Sequence, residues 1–410
     1  MHNETVATKR VFSGQNLFLL ISLALGHTLM HCFQQGWYII LPSVKETFVL
    51  SDVQYGGIES IRSASGTAVQ IPSGAVSDML RKQWAIIVIS ALLGVGIAYV
   101  ILGLAPNYGT VLLAAILVGI SIALWHPPAL SVLSARLAER RGLAISIHGM
   151  GGNLGNAIGP VMIGAVIGAM AWKMAAWVMA IPMIVLSLLL WVVLRNVPGR
   201  EGGSITGRNY SSALLGLFKN SVILGLIISG GIRAMGTISI FAFFSLYCRV
   251  DLGFGPAKTG FYFTTMMVSG IFSQPLLGYL SDRFGRKIVL IPSMILLGFL
   301  EIILVWSGSG IGLILVAICI GLFIYTLGAV IQAAAMDASP EETGATTIAL
   351  LFGSSALFTI PSPVIAGWLS ETYGTPSVFL YSGGLVLLSA IIMMFLPIDR
   401  KKTAQYTEYS

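Results

Sequence analysis

The chain has 410 residues, of which 56% are hydrophobic and only 10% charged, with a mean hydropathy of +0.88. A soluble chain carries about 25% charged residues, so the composition excludes a soluble enzyme and points to a polytopic helical membrane protein. The formal net charge of +7 does not mark a nucleic-acid partner, because the basic residues lie in short segments between apolar runs.

Runs long enough to span a bilayer, about 20 residues each, fall at 14–43, 53–78, 84–105, 109–134, 142–167, 170–195, 219–248, 259–280, 288–306, 311–336, 344–369 and 375–397. They predict an all-α membrane protein of twelve transmembrane helices: an N-terminal six-helix bundle over 1–195, a polar linker over 196–216 and a C-terminal six-helix bundle over 217–410. Lys9 and Arg10 precede an apolar stretch too long for a cleavable signal and without a small-residue cleavage site, so no signal peptide is expected. Of the 23 lysines and arginines, 17 fall on the side of the termini and four (Lys45, Lys173, Arg249, Lys258) on the other; Arg62 and Arg233 fall inside helices. This bias places both termini and the linker in the cytoplasm, in a plasma (inner) membrane.

Ionised side chains at mid-membrane cost roughly 2.5–3.5 kcal/mol each on insertion scales, so those that persist face a cavity or a partner. In the first helix His27, His31, Gln34 and Tyr38 follow i, i+4, i+7, i+11 spacing and share one face. That face reads as a wall of a substrate pathway, the alternative being histidines bonded to neighbouring helices for packing. Glu59 and Arg62, three apart in the second helix, are placed to pair, either as a lock on the bundle or as a coupling element. His126 precedes Pro127 and Pro128, which are expected to break the fourth helix and free backbone carbonyls. His148 opens a run with Gly151, Gly152, Gly155, Gly159, Pro160 and Gly164, a helix face without side chains that allows close helix contact. Arg233 lies midway along the seventh helix, suited to hold an anion with a bidentate fork or else tied to carbonyls or to Glu301. Glu301, alone in the ninth helix, is expected near the outer surface against lipid. Cys32, Cys248 and Cys319 lie in apolar runs without metal spacing, and no cofactor or metal motif is present in the sequence pattern.

The two halves repeat. Gly278, Ser281 and Asp282 match Gly74, Ser77 and Asp78 at an offset of 204, and the same offset pairs Gly260 with Gly56, Ser269-Gly270 with Ser65-Gly66 and Gln274 with Gln70. One offset across several positions marks a duplicated half. The later copy, Gly-Tyr-Leu-Ser-Asp-Arg-Phe-Gly-Arg-Lys from Gly278 to Lys287, reads as a turn between two helices. Gly278 is expected to let helices approach and Asp282 to meet a helix N-terminus, while Arg283, Arg286 and Lys287 hold the turn on the cytoplasmic side.

This loop resembles the signature of the major facilitator superfamily, placed as there between the second and third helices of a six-helix half. Gly155-x-x-x-Gly159-Pro160 resembles part of that family's antiporter motif. Gly26-His27, Trp125-His126-Pro127, Arg141-Gly142, Gly151-Gly152-Asn153 and Gly159-Pro160 resemble the fosmidomycin-resistance branch, which implies export of a small phosphonate antibiotic by proton antiport. His31 stands where that branch has an acid, and Pro128 where it has a glutamate, which removes two candidate proton carriers. Histidine titrates near neutral pH, so Glu59, His31 and His148 are the remaining candidates for proton coupling.

The resulting expectation is a monomeric secondary transporter working by alternating access. Arg233, Arg62 and four histidines against Glu59 make a basic cavity, which suits a small organic anion bound at His27, His31, Gln34, Tyr38, Arg62, His126 and Arg233. Trp37, Tyr38, Trp125 and the methionines suit the alternative, efflux of a hydrophobic drug or antibiotic. A transporter-like sensor or membrane enzyme is the remote alternative; no nucleophile–base set or phosphate-binding loop supports it.

Overall fold

A backbone in hydrocarbon must satisfy its own hydrogen bonds, so membrane-length apolar runs fold as helices. The computed structural model describes residues 14–79, 83–194, 220–339 and 344–398, and within these it is helical without strands. The first half holds α1 (Gly14–Phe48), α2 (Asp52–Met79), α3 (Trp84–Leu104), α4 (Tyr108–Arg136), α5 (Arg141–Ala169) and α6 (Trp172–Leu194). The second holds α7 (Ser221–Val250), α8 (Pro256–Phe284), α9 (Arg286–Ile303), α10 (Ile311–Ile324), α11 (Thr326–Asp337), α12 (Gly344–Thr359), α13 (Ser362–Tyr373) and α14 (Pro376–Phe395). The linker and both termini lie outside the described residues.

Two expected spans are broken. The tenth divides at Tyr325 into α10 and α11, and the eleventh divides at Ile360–Pro361 into α12 and α13. Pro361 and Pro363 account for the second break, since a helix-interior proline removes a donor and clashes with the preceding turn. By contrast α4 runs unbroken through Pro127 and Pro128, against the expectation of a break beside His126. The helix passes through the missing donors because α2, α3 and α5 pack along it.

Among the described residues, nine helical segments are long and apolar enough to cross a membrane. The other three expected spans are α2, α8 and the broken α12–α13. The reason is visible in the packing: α2 lies against α13 and α8 against α5, so these helices form the contact between halves and bury polar groups from lipid. Each half repeats one pattern. In the first, α1 packs on α5, α2 on α4 and α3 on α6; in the second, α7 packs on α12, α8 on α10 and α9 on α14.

The halves meet at the end where α1 finishes. Tyr55 donates its hydroxyl to Ala242 O at 2.7 Å, Ser370 to Asp52 Oδ2 at 2.5 Å, and Val53 N–H to Glu371 Oε2 at 3.4 Å. Val161 N–H reaches Thr264 Oγ1 at 3.2 Å, and that hydroxyl donates to Ala157 O at 2.8 Å. A vestibule of about 500 Å³ opens at this end, lined in part by Lys45, Glu46 and Arg249.

Candidate translocation site

All four membrane-embedded histidines come together. His27 lies 4.6 Å from His31, 5.2 Å from His126 and 4.1 Å from His148, ring centre to ring centre, and stacks on His148. His31 and His126 are 5.7 Å apart. Helical spacing puts His27 and His31 one turn apart on α1, and α4 and α5 bring the other two. Glycine makes the approach possible: a Cβ at Gly152 would fall 2.6 Å from the His27 ring. Gly151, Gly155 and Gly159 likewise press α5 onto the α1 backbone, while Pro160 and Gly164 press against Gly260 and Pro256 of α8. The expected small-residue face therefore serves both a neighbour within the half and a neighbour across it.

A polar chain leads from this cluster to the other half. His31 Nδ1 and Gln35 Nε2 both lie 3.0 Å from Asn156 Oδ1, and Gln35 Nε2 also donates to Tyr325 OH at 3.1 Å. Tyr325 in turn donates to Met267 Sδ at 3.0 Å. The bonding runs through Gln35 rather than the expected Gln34, which is half-buried one residue earlier. Gln35 stands one turn beyond His31, and that i+4 relation was the available signal. A cavity of about 10 Å³, close to the volume one water needs, sits beside the chain, bounded by Asn153, Asn156, Gln274 and Tyr325.

Tyr38, Glu59 and Arg62 form a second, closed network. Arg62 Nε donates to Glu59 Oε2 at 2.7 Å, its Nη2 pairs with Glu59 Oε1, and that nitrogen also reaches Tyr38 OH at 3.0 Å. Tyr38 donates to Glu59 Oε1 at 3.1 Å. Glu59 is fully buried, so the positive charge of Arg62 is neutralised in place. The Tyr38 ring stacks on Phe263 at 6.0 Å and lies 6.0 Å from Phe241, which is 5.8 Å from Tyr325. These four rings make an aromatic layer between the halves that apolar residues in the sequence do not single out.

Arg233 stands apart from the imidazoles. Its Nη1 donates to Thr237 Oγ1 at 3.1 Å and to Ile324 O at 3.4 Å, the carbonyl freed by the break before Tyr325. Its Nε has no partner, and no ion pair joins it among the described residues. Glu301 is fully buried rather than lipid-facing: Ser382 donates to its Oε2 at 2.7 Å. Ser382 itself lies against Gly236, so packing on α7 and α14 draws the carboxyl inward.

The α8–α9 turn differs in detail from expectation. Asp282 pairs with Arg286, one helical turn on, rather than with a helix end. Arg286 also holds Asp337 Oδ2 at 3.0 Å and Ser281 Oγ at 2.6 Å, tying the turn to α11. Arg283 lies over the Phe284 ring, and Lys287 caps the Met394 and Leu396 carbonyls. A Cβ at Gly278 would meet nothing within 4 Å, so this glycine is not at a close helix approach here. The side chains around Gly74 and Asp78, near the end of α2, lie outside the described residues.

The profile of the Major Facilitator Superfamily matches residues 23–263 and again 226–409, covering both halves. The chain belongs to this superfamily. It is a secondary transporter for small molecules, not an enzyme. The superfamily chain is 24% identical over 400 residues to the fosmidomycin resistance protein of Escherichia coli (strain K12), with 94% of each chain covered. It is also 24% identical over 394 residues to the MFS-type transporter YfnC of Bacillus subtilis (strain 168), with 93% of each covered. Among solved structures, a bacterial homologue of the human lysosomal transporter Spinster, inward-facing and unoccupied, superposes with a TM-score of 0.77 at 17% identity. That match covers 93% of this transporter and 95% of the other chain and establishes the shared fold.

Proposed function

We propose that this transporter moves a small organic anion across the plasma membrane by alternating access, with Arg233 holding the anion and proton movement at Glu59 linked to it. The observation that carries the reading is the state of Arg233: a half-buried guanidinium mid-helix whose acceptors are a hydroxyl and a carbonyl and whose Nε has none. Glu301 attracts this cation from a distance without pairing with it, so the guanidinium stays short of acceptors, and a buried cation in that state is costly. A carboxylate or phosphonate supplies the missing acceptors in a planar, bidentate match. The positive field is narrower than the sequence implied, because Glu59 neutralises Arg62. Selectivity then comes from one cation, Arg233, rather than from a basic lining.

Glu59 suits proton linkage because it ties three groups at once. A proton on this carboxylate removes the ion pair to Arg62 and loosens Tyr38 from the aromatic layer. With both termini cytoplasmic, the end where the halves meet is the external one, and Gly278 at the opposite end of α8 is open. Both features fit an inward-open state.

The test uses proteoliposomes and labelled fosmidomycin as the probe anion. Arg233→Ala is expected to lower saturable transport at least tenfold, with partial recovery in Arg233→Lys. Full-rate saturable transport in Arg233→Ala would overturn the anion reading. Accumulation unchanged by an imposed pH gradient would remove the proton from the scheme.

One observation favours a second reading, efflux of a hydrophobic drug. The layer of Tyr38, Phe241, Phe263 and Tyr325 offers ring faces between the halves, and multidrug resistance protein MdtG of Yersinia enterocolitica is 22% identical over 94% of the chain. On that reading an uncharged drug is carried equally well with or without Arg233.

A further inference from the structure

We propose that His27, His31 and His126 bind one divalent transition-metal ion of the zinc class, inside the N-terminal half. One ring nitrogen from each of these three residues lies within 4.8 Å of the other two. Three neutral imidazoles without a carboxylate suit zinc, cobalt, nickel or copper rather than magnesium or calcium. Two of the ligands share one face of α1 at i, i+4 spacing, a bidentate clamp set by helix geometry.

The surroundings fix which nitrogens are offered. His27 Nδ1 lies 2.7 Å from His148 O. A carbonyl only accepts, so Nδ1 carries the hydrogen and Nε2 presents its lone pair. That Nε2 is buried and has no partner. His31 Nδ1 faces Asn156 Oδ1, which already accepts from Gln35 Nε2. His31 Nδ1 is therefore also a donor, and its Nε2 is free for a metal. Metal-binding histidines are held in this way, with one ring nitrogen donating to an oxygen behind it. Gly152 leaves room for the His27 ring, and His148 stacks behind it.

Binding needs the three nitrogens to close by about an ångström toward Zn–N bonds of about 2.0–2.1 Å, leaving a fourth position for water or an anionic oxygen. The ion reaches the site from the side of His31 and His126, which are half-buried, whereas His27 is buried. The ion would join α1 to α4 within one half, so it leaves the contact between halves free to open. This inference does not depend on Arg233 or on the substrate.

The test uses the full chain, purified without a histidine tag, stripped with a chelator and titrated with Co²⁺. One equivalent is expected to give the visible absorption of four-coordinate cobalt and to be displaced by Zn²⁺. His31→Ala and His126→Ala are expected to abolish the signal, and Asn156→Ala to weaken binding 10–100-fold. His2→Ala, which removes the one histidine outside the cluster, leaves it intact. Should an alanine variant fail to fold, His126→Gln replaces it. Thermal melting with and without Zn²⁺ gives a second readout, since a ligand of the native state raises its melting temperature. No saturable one-equivalent binding, or binding that survives in the His31 and His126 variants, overturns the site.

Discussion

The two halves share a skeleton and differ in what they hang on it. At the contact between halves, Gly56 of α2 presses on Pro363 O and its offset mate Gly260 of α8 presses on Pro160 O. Inside each half the correspondence is equally close. Gly119 on α4 packs against Arg62 O and Ser65 Oγ, and Gly321 on α10 packs against Met266 O and Ser269 Oγ. Arg62 and Met266, like Ser65 and Ser269, are 204 residues apart. Yet Glu59 and Arg62 in the first half become Phe263 and Met266 in the second. Duplication has kept the positions where backbones touch, because a single methyl there has nowhere to go. The side chains beside them diverged, leaving the first half with the buried Glu59–Arg62 pair and four imidazoles and the second with Phe241, Phe263, Arg233 and the buried Glu301.

The largest effect comes from making the first half resemble the second. Arg62→Met leaves Glu59 buried without its counter-charge and is expected to cost about 3–5 kcal/mol in denaturant unfolding in detergent. Adding Glu59→Leu removes the stranded charge, and the double variant is expected to recover most of that loss, since apolar replacement of a whole buried pair is often neutral. Recovery of stability without recovery of gradient-driven transport separates the two duties of the pair. If the double variant is no more stable than Arg62→Met, the apolar packing of the second half is not transferable to the first.

An intermediate effect tests the shared skeleton. Gly119→Ala and Gly321→Ala each force a methyl against a backbone carbonyl, and each is expected to cost about 1–3 kcal/mol. The informative quantity is the difference between them, expected to lie within about 0.5 kcal/mol, the usual scatter of independent sites. A large loss at one glycine alone would show that only that half depends on the close helix contact.

Much of this skeleton was legible in the sequence. Apolar runs, the repeat offset and the Gly278–Lys287 turn follow from local pattern, and Glu59 and Arg62 pair as their i, i+3 spacing implies. What escaped depends on contacts between distant segments. Gln35, not Gln34, reaches Asn156 because α5 approaches that side of α1, and the approach is set by glycines on the partner helix. The prolines after His126 look like a break, yet neighbours on three helices carry α4 through them. The histidine cluster was legible only in part: His27 and His31 share a face of α1 at i, i+4, but His126 and His148 join them from α4 and α5, far away in the chain. Arg233 was expected to join the imidazoles by depth alone; depth does not fix the direction in which a helix face points.

The smallest expected effect on stability concerns Gly278, and it bears on motion. Gly285 in the same turn has φ +106°, a conformation nearly restricted to glycine, so Gly285→Ala is expected to cost about 1–3 kcal/mol. Gly278 is helical and its missing Cβ faces open space. Gly278→Ala therefore gains about 0.5–1 kcal/mol from helix propensity alone. The glycines at the contact between halves, Gly56 and Gly260, are closed against backbone carbonyls, whereas Gly278 occupies the opposite end of α8. If the halves rock, that end must close when the other opens, and a methyl at Gly278 then meets a helix it does not meet now. The expected result is a variant with an equal or higher melting temperature and slower transport. Unchanged transport in Gly278→Ala would mean that this end of α8 never reaches the close contact that Gly56 and Gly260 make, and the symmetry of the two ends would stop at the packing described here.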